Sequence, residues 1–373
     1  HANGDATGAS IEGVLCQRVR EHPNIQILEH AFAVDLLTIG EYCDGALVWQ
    51  PQRGFLMVRS SQTILASGGC GQVYRETTNP DVVTGDGVAM AFRAGAEIQD
   101  IEFVQFHPTT LYVAGAKRYL ISEAMRGEGG VLRNRHGERF MPAYHPDAEL
   151  APRDIVSRSI IKEIEKTQYP HVYLDVRHIP RERLDLRFPT IQQVCAGFGI
   201  DISDDLIPVR PSAHYMIGGV SVDSEGRTNI RNLYACGEVS CTELHGANRL
   251  GSNSLLEGLV YGYRTGRRAG MVSEERASTP TLRAIQGITL EPAYGQLDLE
   301  DVQNSLRALM WRNVGVVRNQ QALDEAETRI TFWCRYVMDK QFDNPGGWEI
   351  QNMLTVARLI VMSARQREES RGT

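Results

Sequence analysis

Leu244-His-Gly-Ala-Asn-Arg-Leu-Gly-Ser-Asn-Ser-Leu-Leu-Glu257 gathers one Arg, one His, two Asn and two Ser around two glycines, then turns apolar. Arg249 offers a planar fork of donors, suited to gripping a carboxylate at two points. Ser254 stands where an N-cap would stand, just before Leu255, Leu256, Leu259 and Val260. A helix is therefore expected to start there and to run to about Arg268. The free N–H groups and positive end of such a helix suit an anion. Upstream, Asn232-Leu-Tyr-Ala-Cys-Gly-Glu238 reads as a short apolar strand ending in Gly and a carboxylate. Strand, polar loop and helix N-terminus together describe a place for a large anionic cofactor and a small anionic substrate.

The bulk properties narrow the classes. At 373 residues, two or three domains are expected. The composition, 42% hydrophobic and 23% charged, is that of a globular protein. A net charge of −7 argues against nucleic acid as the main partner. No apolar run reaches membrane-spanning length, and no signal-peptide pattern is present. The seven cysteines form no CxxC pair, which suggests reduced thiols in a cytosol and no zinc site.

Along the chain, a helix is expected over about 9–21, with Ile11, Val14, Leu15 and Val19 on one face. Strands are expected at Ile25–Leu28, Ala46–Trp49, Phe55–Val58 and Thr63–Ala66, with Pro51–Gly54 as a hairpin turn. Ser67, Gly68 and Gly69 end the last strand, where glycine would allow close approach of a ligand to the backbone. Asp86 is placed to cap a helix containing Val88, Met90, Ala91 and Phe92. Gln105 and His107, two apart, share one face of an extended strand. Glu123 and Arg126 form an i,i+3 pair, which by itself is equally a solvated ion pair. Arg153 follows Pro152 at the start of a helix whose apolar face is Val156, Ile160 and Ile164. Val172–Asp175 is strand-like, and the region to Asp205 reads as mixed and polar. His214 precedes Gly218-Gly219. Residues 273–293 read as a linker. Three helices follow, near 297–318, 321–339 and 348–367.

The opening stretch resembles the signature of the succinate dehydrogenase/fumarate reductase flavoproteins. Within that superfamily it is most similar to the L-aspartate oxidases, as are Gly237-Glu-Val-Ser-Cys-Thr242, Ser252 and Glu257. The similarity runs along nearly the whole chain. It implies an α/β fold: a discontinuous FAD-binding (Rossmann-like) domain with an inserted α+β capping domain and a C-terminal helical bundle. The expected boundaries are 1–90 and 206–270 for the FAD-binding domain, 91–205 for the cap, and 271–373 for linker and helical domain. The resemblance implies that FAD is held by Ala33 and Val34 at the adenine, by Ser67, Gly68, Asp86 and Glu238, and by Ser254 and Leu255. It assigns the substrate to Gln105, His107, Ser122, His214 and Arg249. Glu123 and Arg126 would form a proton path to Arg153, the residue that exchanges a proton with the substrate carbon. These substrate and catalytic residues are expected to converge.

The implied reaction is oxidation of L-aspartate to iminoaspartate, with oxygen or fumarate as acceptor, on the route to quinolinate and NAD. A hand-off to quinolinate synthase and a cytoplasmic location go with it. Two arginines and two histidines suit a four-carbon dicarboxylate, while Glu123 and Gln105 are candidates for the α-ammonium of aspartate. Free Arg has a pKa above ~12, so Arg153 fits a proton donor to fumarate better than a base in aspartate oxidation. The competing readings are a succinate dehydrogenase/fumarate reductase flavoprotein subunit and a folded module without FAD. The chain starts at His1 and shows no G-x-G-x-x-G after a strand. It is therefore expected to be a fragment without the first FAD-binding segment and a short tail, binding FAD weakly by itself.

Overall fold

The computed structural model describes residues 5–276, 281–284 and 297–373. The chain divides into two compact units. The smaller contains the chain up to Ile27, Glu76–Thr78 and Phe106–His214; the larger contains Leu28–Arg75, Asn79–Gln105 and Tyr215–Thr373.

The smaller unit is α+β. Its sheet takes the strands in the order Val104–Leu111, Ile207–Met216, Val172–Asp175, Val131–Arg133. The strands Val131–Arg133, Val172–Asp175 and Ile207–Met216 run antiparallel in sequence, with Leu132 opposite Leu174 and Leu174 opposite Ile207. Helix Arg153–Thr167 turns Val156 and Ile160 inward at i,i+4 spacing, with Ile164 packed alongside. Two short helices, Arg181–Arg187 and Pro189–Ala196, lie where the sequence reads only as mixed and polar. Each is about two turns long and buries just Leu184, or Ile191 and Cys195, which is too few positions to register as a period. The first helix, Thr7–Glu21, starts two residues before its expected limit. It buries no residue, and its expected inner face is open: Val14 is 60% exposed. No strand forms over 25–28; the first strand is Phe32–Ile39.

The larger unit opens with an antiparallel meander, Phe32–Ile39, Tyr42–Gln50 and Gly54–Arg59, extended by Thr281–Ala284 at its edge. Thr63–Leu65 pairs in parallel with Leu233–Ala235, and Gly219–Ser221 lies between Ser240–Cys241 and Ile98–Gln99. Helices Leu299–Asn313, Gln320–Val337 and Pro345–Gln366 are each capped by a side-chain oxygen, from Asp298, Asn319 and Asn344. Trp348 joins this bundle to the meander, with ring centroids 5.5–5.8 Å from Phe32, Trp49 and Phe55.

Several expectations shift. The insertion runs over Phe106–His214 rather than 91–205, and the chain up to Ile27 belongs with it. The helical region clusters with the larger unit, as the Trp348 contacts require. Of the expected linker, 277–280 and 285–293 lie outside the described residues, but 273–276 finish a helix and 281–284 form the edge strand.

Candidate functional site

The signature loop belongs to the larger unit. Its helix is Asn253–Arg276, so Ser254 lies inside the first turn and is not the cap expected from the sequence. The helix starts two residues earlier than that cap would allow, directly after Ser252, whose φ is +72°. Freed from capping, the Ser254 hydroxyl accepts from Arg249 at 2.6 Å. Arg249 also donates to Gln105 Oε1 at 3.0 Å, and Gln105 Nε2 returns a bond to the Arg249 carbonyl at 2.7 Å. Gln105 is fully buried and Arg249 nearly so. The guanidinium lies 4.2 Å from the ring centroid of Tyr215. Of the expected substrate residues, Gln105 and Arg249 are thus brought into direct contact.

The smaller unit contains the other three, His107, Ser122 and His214, and the expected catalytic residues Glu123, Arg126 and Arg153. Ser122 caps the short helix Glu123–Gly127, its hydroxyl accepting from Ala124 N–H at 3.2 Å. Glu123 accepts from Arg153 Nε and Nη at 2.8 and 2.6 Å. It also faces Arg126 at 3.7 Å. That i,i+3 pair is not a solvated one, because the Arg126 side chain is completely buried. Burial, together with neighbouring Arg153, lowers the Arg126 pKa to about 10. Arg153 opens helix Arg153–Thr167 at its first position, with Pro152 one place earlier than expected, in the cap position. The His107 and His214 rings stand edge to face, 5.3 Å apart. His214 Nδ1 lies 2.9 Å from the Thr78 hydroxyl, and His107 Nδ1 lies 3.1 Å from the Thr109 carbonyl. His107 Nε2 is buried with no hydrogen-bond partner. Burial, and then the neighbouring His214, Arg153 and Arg126, hold this imidazole well below its usual pKa. It is therefore neutral at pH 7, with one ring nitrogen open to a ligand. The cluster is cationic, with Glu123 the carboxylate that both arginines face.

The expected cofactor residues fall in the larger unit. Ala33 and Val34 lie on strand Phe32–Ile39, beside an irregularity in its pairing with Tyr42–Gln50. Ser67 and Gly68 follow strand Thr63–Leu65. Asp86 begins helix Asp86–Arg93 but does not cap it; Gly85 holds the cap position, and the Asp86 carboxylate accepts from Thr84 and Asn352 at 2.7 and 2.6 Å. Burial raises its pKa. Glu238 lies on the turn Gly237–Val239 and accepts from Met216 N–H at 2.8 Å. Burial pushes its pKa up to about 7. A Cβ on Gly69 would come within 2.5 Å of Glu238 Oε1, and one on Gly87 would meet the Ser67 hydroxyl and Val239. Side-chain-free backbone is thus packed where 67–69, 85–87 and 237–239 meet. The helix start at Asp86 opens beside this junction. Leu255, early in the signature helix, is 41% exposed. Close-packed glycines, a buried carboxyl and a helix N-terminus fit a dinucleotide cofactor such as FAD.

The sequence gives no sign of Asn352, and no role is read for Thr78, Tyr215, His245, Asn248 or Glu257 although each lies in a stretch singled out from the sequence. Asn248 accepts from Gln105 at 3.0 Å. Tyr215 stands next to His214 and Asn248 next to Arg249, so adjacency was the available signal.

Comparison with known proteins agrees with this picture. Residues 1–255 match the FAD binding domain family, and residues 303–373 match the fumarate reductase flavoprotein C-terminal family. The chain is 45% identical to L-aspartate oxidase 1 of Ralstonia nicotianae, over 99% of its own length and 71% of that relative's. It is 42% identical to L-aspartate oxidase of Pseudomonas aeruginosa, over 99% of this chain and 70% of that one. Among solved structures, a mutated E. coli quinol fumarate reductase FrdA matches with a TM-score of 0.88 at 31% identity, covering 99% of this chain and 69% of that chain. The fold is accordingly the α/β one expected: a discontinuous FAD-binding domain, an inserted α+β capping domain and a C-terminal helical bundle. By sequence likeness along its length and by fold, the chain belongs to the L-aspartate oxidase family of FAD-binding proteins.

Proposed function

We propose that the protein oxidises L-aspartate to iminoaspartate with FAD as cofactor and oxygen or fumarate as the final acceptor. The observation that carries this reading is the cationic cluster of the smaller unit, where Arg126 and Arg153 face one carboxylate, Glu123, and the rings of His107 and His214 stand edge to face with His107 Nε2 unpartnered. Such a cluster suits a doubly charged dicarboxylate. FAD, when bound, accepts two electrons and a hydrogen from the substrate carbon and passes the electrons on. Ala33 and Val34 serve the adenine; Ser67, Gly68, Asp86, Glu238, Ser254 and Leu255 serve the remainder of the cofactor.

In the larger unit, Arg249 grips a carboxylate, and Gln105, whose amide oxygen accepts from that guanidinium, holds it in place. In the smaller unit, His214 and Ser122 donate to the substrate, and neutral His107 adds an uncharged contact through Nε2. Arg153 holds a carboxylate in aspartate oxidation and returns a proton to carbon when fumarate is reduced. That proton is replenished through Glu123, which is 44% exposed, and buried Arg126. Iminoaspartate is a hydrolysable imine, so direct hand-off to quinolinate synthase is part of the proposal. Among the described residues no helix is long and apolar enough to cross a membrane, and we place the reaction in the cytoplasm.

The test is anaerobic reduction of the FAD-loaded protein. L-aspartate should bleach the flavin, and oxygen should restore it with peroxide formed. Bleaching by succinate and not by aspartate would replace this reading with a succinate dehydrogenase/fumarate reductase flavoprotein. Arg249→Leu should lower kcat/KM for aspartate roughly tenfold to a hundredfold, the loss of one charge-assisted contact. Unchanged kinetics would remove Arg249 from the site.

A further inference from the structure

Beneath the signature loop lies a buried polar group to which the proposed reaction gives no role. Glu257, on the second turn of helix Asn253–Arg276, is 2% exposed. Its carboxylate takes three side-chain contacts. Tyr215 donates its hydroxyl at 3.0 Å, His245 Nε2 lies at 2.8 Å, and the Thr242 hydroxyl donates to the second oxygen. His245 Nε2 also lies 3.3 Å from the Tyr215 hydroxyl, with the two rings at 89°. Burial by itself would raise the Glu257 pKa; the bonds from His245 and Thr242 outweigh it, and the carboxyl titrates below its usual range. Tyr215, buried beside two carboxylates, is held far above its usual pKa and keeps its proton. The Tyr215 hydroxyl is therefore a fixed donor to a fixed anion.

What this fixes is the hydroxyl end of the tyrosine and, because a phenol O–H prefers the plane of its ring, the orientation of the ring; Arg249 lies over that ring at 4.2 Å. The guanidinium edges are set separately, by Gln105 Oε1 and by the Ser254 hydroxyl, both neutral acceptors. Two neutral edges and an aromatic face orient the fork. An ion pair in either place would orient it equally well but would compete with an incoming carboxylate.

We propose that Glu257, with His245, positions Arg249 for a substrate carboxylate by locking the Tyr215 ring beneath it. Glu257 is thus a positioning residue that touches neither substrate nor cofactor. This rests on the reading of Arg249 as a dicarboxylate-binding residue. The length of the side chain matters: Asp would withdraw the carboxylate by one methylene from a hydroxyl already at 3.0 Å.

The experiment is a double-mutant cycle on the FAD-loaded full chain, with succinate as the probe ligand, its binding followed by the flavin absorbance change. Tyr215→Phe and Glu257→Gln should each raise the Kd for succinate about tenfold, as expected for loss of a hydrogen bond to a charged group. Both should raise KM for aspartate more than they lower kcat. In an Arg249→Lys background, which cannot use the ring in the same way, neither should cause a further loss. Glu257→Asp should not restore binding. If losses in the Arg249→Lys background are as large as in the wild type, Glu257 acts otherwise and the proposal is wrong. If the wild type binds no succinate and oxidises no aspartate, the functional reading itself fails and takes this one with it. Tyr215→Phe conserves the buried shape, so it decides the matter even if Glu257→Gln lowers folding yield.

Discussion

Glu123 faces two arginines at once, and they differ in burial. Arg153 gives it two hydrogen bonds, while Arg126 stands 3.7 Å behind it with no exposed side-chain surface. Replacing Glu123 by Gln keeps the shape and removes the charge. Fumarate reduction should then lose about tenfold to a hundredfold in kcat with a smaller change in KM, because the proton path is interrupted while the carboxylate contacts remain. Steady-state rates with a reduced dye and fumarate measure this; an equal rise in KM and no loss of kcat would make Glu123 a binding residue only. Arg126 also loses a compensating charge, so a stability loss of about 1–2 kcal/mol should accompany the change. These side chains were legible through the family resemblance; alone, the Glu123 and Arg126 spacing reads equally as a solvated ion pair, and a lone His or Arg reads as structural. Their partners were not. Nothing in the spacing of Gln105 and Arg249, or of Glu123 and Arg153, says that they meet. Tyr215 was hidden for a further reason: its contribution is a flat face beneath a cation, and a tyrosine doing that reads like any core tyrosine.

Elements came through the sequence in proportion to their length. The three C-terminal helices were placed within a few residues, since each carries several apolar turns and an Asn or Asp cap. Helices of seven or eight residues at 181–187 and 189–196 were lost, and a pairing-dependent strand at 281–284 was taken for linker. Boundaries moved where a single residue adopts a left-handed conformation, as Ser252 does before the signature helix. The last helix, Pro345–Gln366, is held at its end by a contact that no periodicity could announce. Arg367 donates from Nε and Nη to Glu102 Oε1 at 2.8 and 2.6 Å and lies over Phe103, while Ser363 donates to Glu102 Oε2 at 2.6 Å. Glu102 is only 3% exposed, so Glu102→Ala should cost roughly 2–4 kcal/mol in urea unfolding. Arg329→Ala, which breaks a half-exposed i,i+4 pair with Glu325, should cost at most about 0.5 kcal/mol. Equal costs would mean that the Glu102 contact is ornamental.

The molecule as a whole carries carboxyls that pull its stability in opposite directions with pH. Glu102, Glu149 and Asp175 are held below their usual range by hydrogen bonds and arginine partners, against the effect of burial. Their contribution is complete above about pH 4.5 and is lost as pH falls through the folded-state values, which sets the acid limit. Glu238 has the opposite sign. Burial raises it to about 7, so between about pH 4.5 and 7 the folded chain keeps a proton that the unfolded chain has released. Stability attributable to this residue therefore falls as pH rises through that window, and above it the whole cost remains. A buried carboxyl that destabilises the fold at neutral pH is consistent with a functional need, and the role proposed for Glu238 is to hold the cofactor. Glu238→Gln keeps the acceptor for Met216 N–H and removes the ionisation. In cofactor-stripped protein the variant should match the wild type near pH 5 and exceed it at pH 8 by on the order of 2 kcal/mol, read as a rise in unfolding midpoint. The same variant should retain FAD less tightly at pH 8, measured by release of flavin fluorescence on dilution. A variant that gains no stability with pH would show that Glu238 ionises in the fold without cost. A variant that gains stability and holds FAD as firmly would show that its charge serves something other than the cofactor.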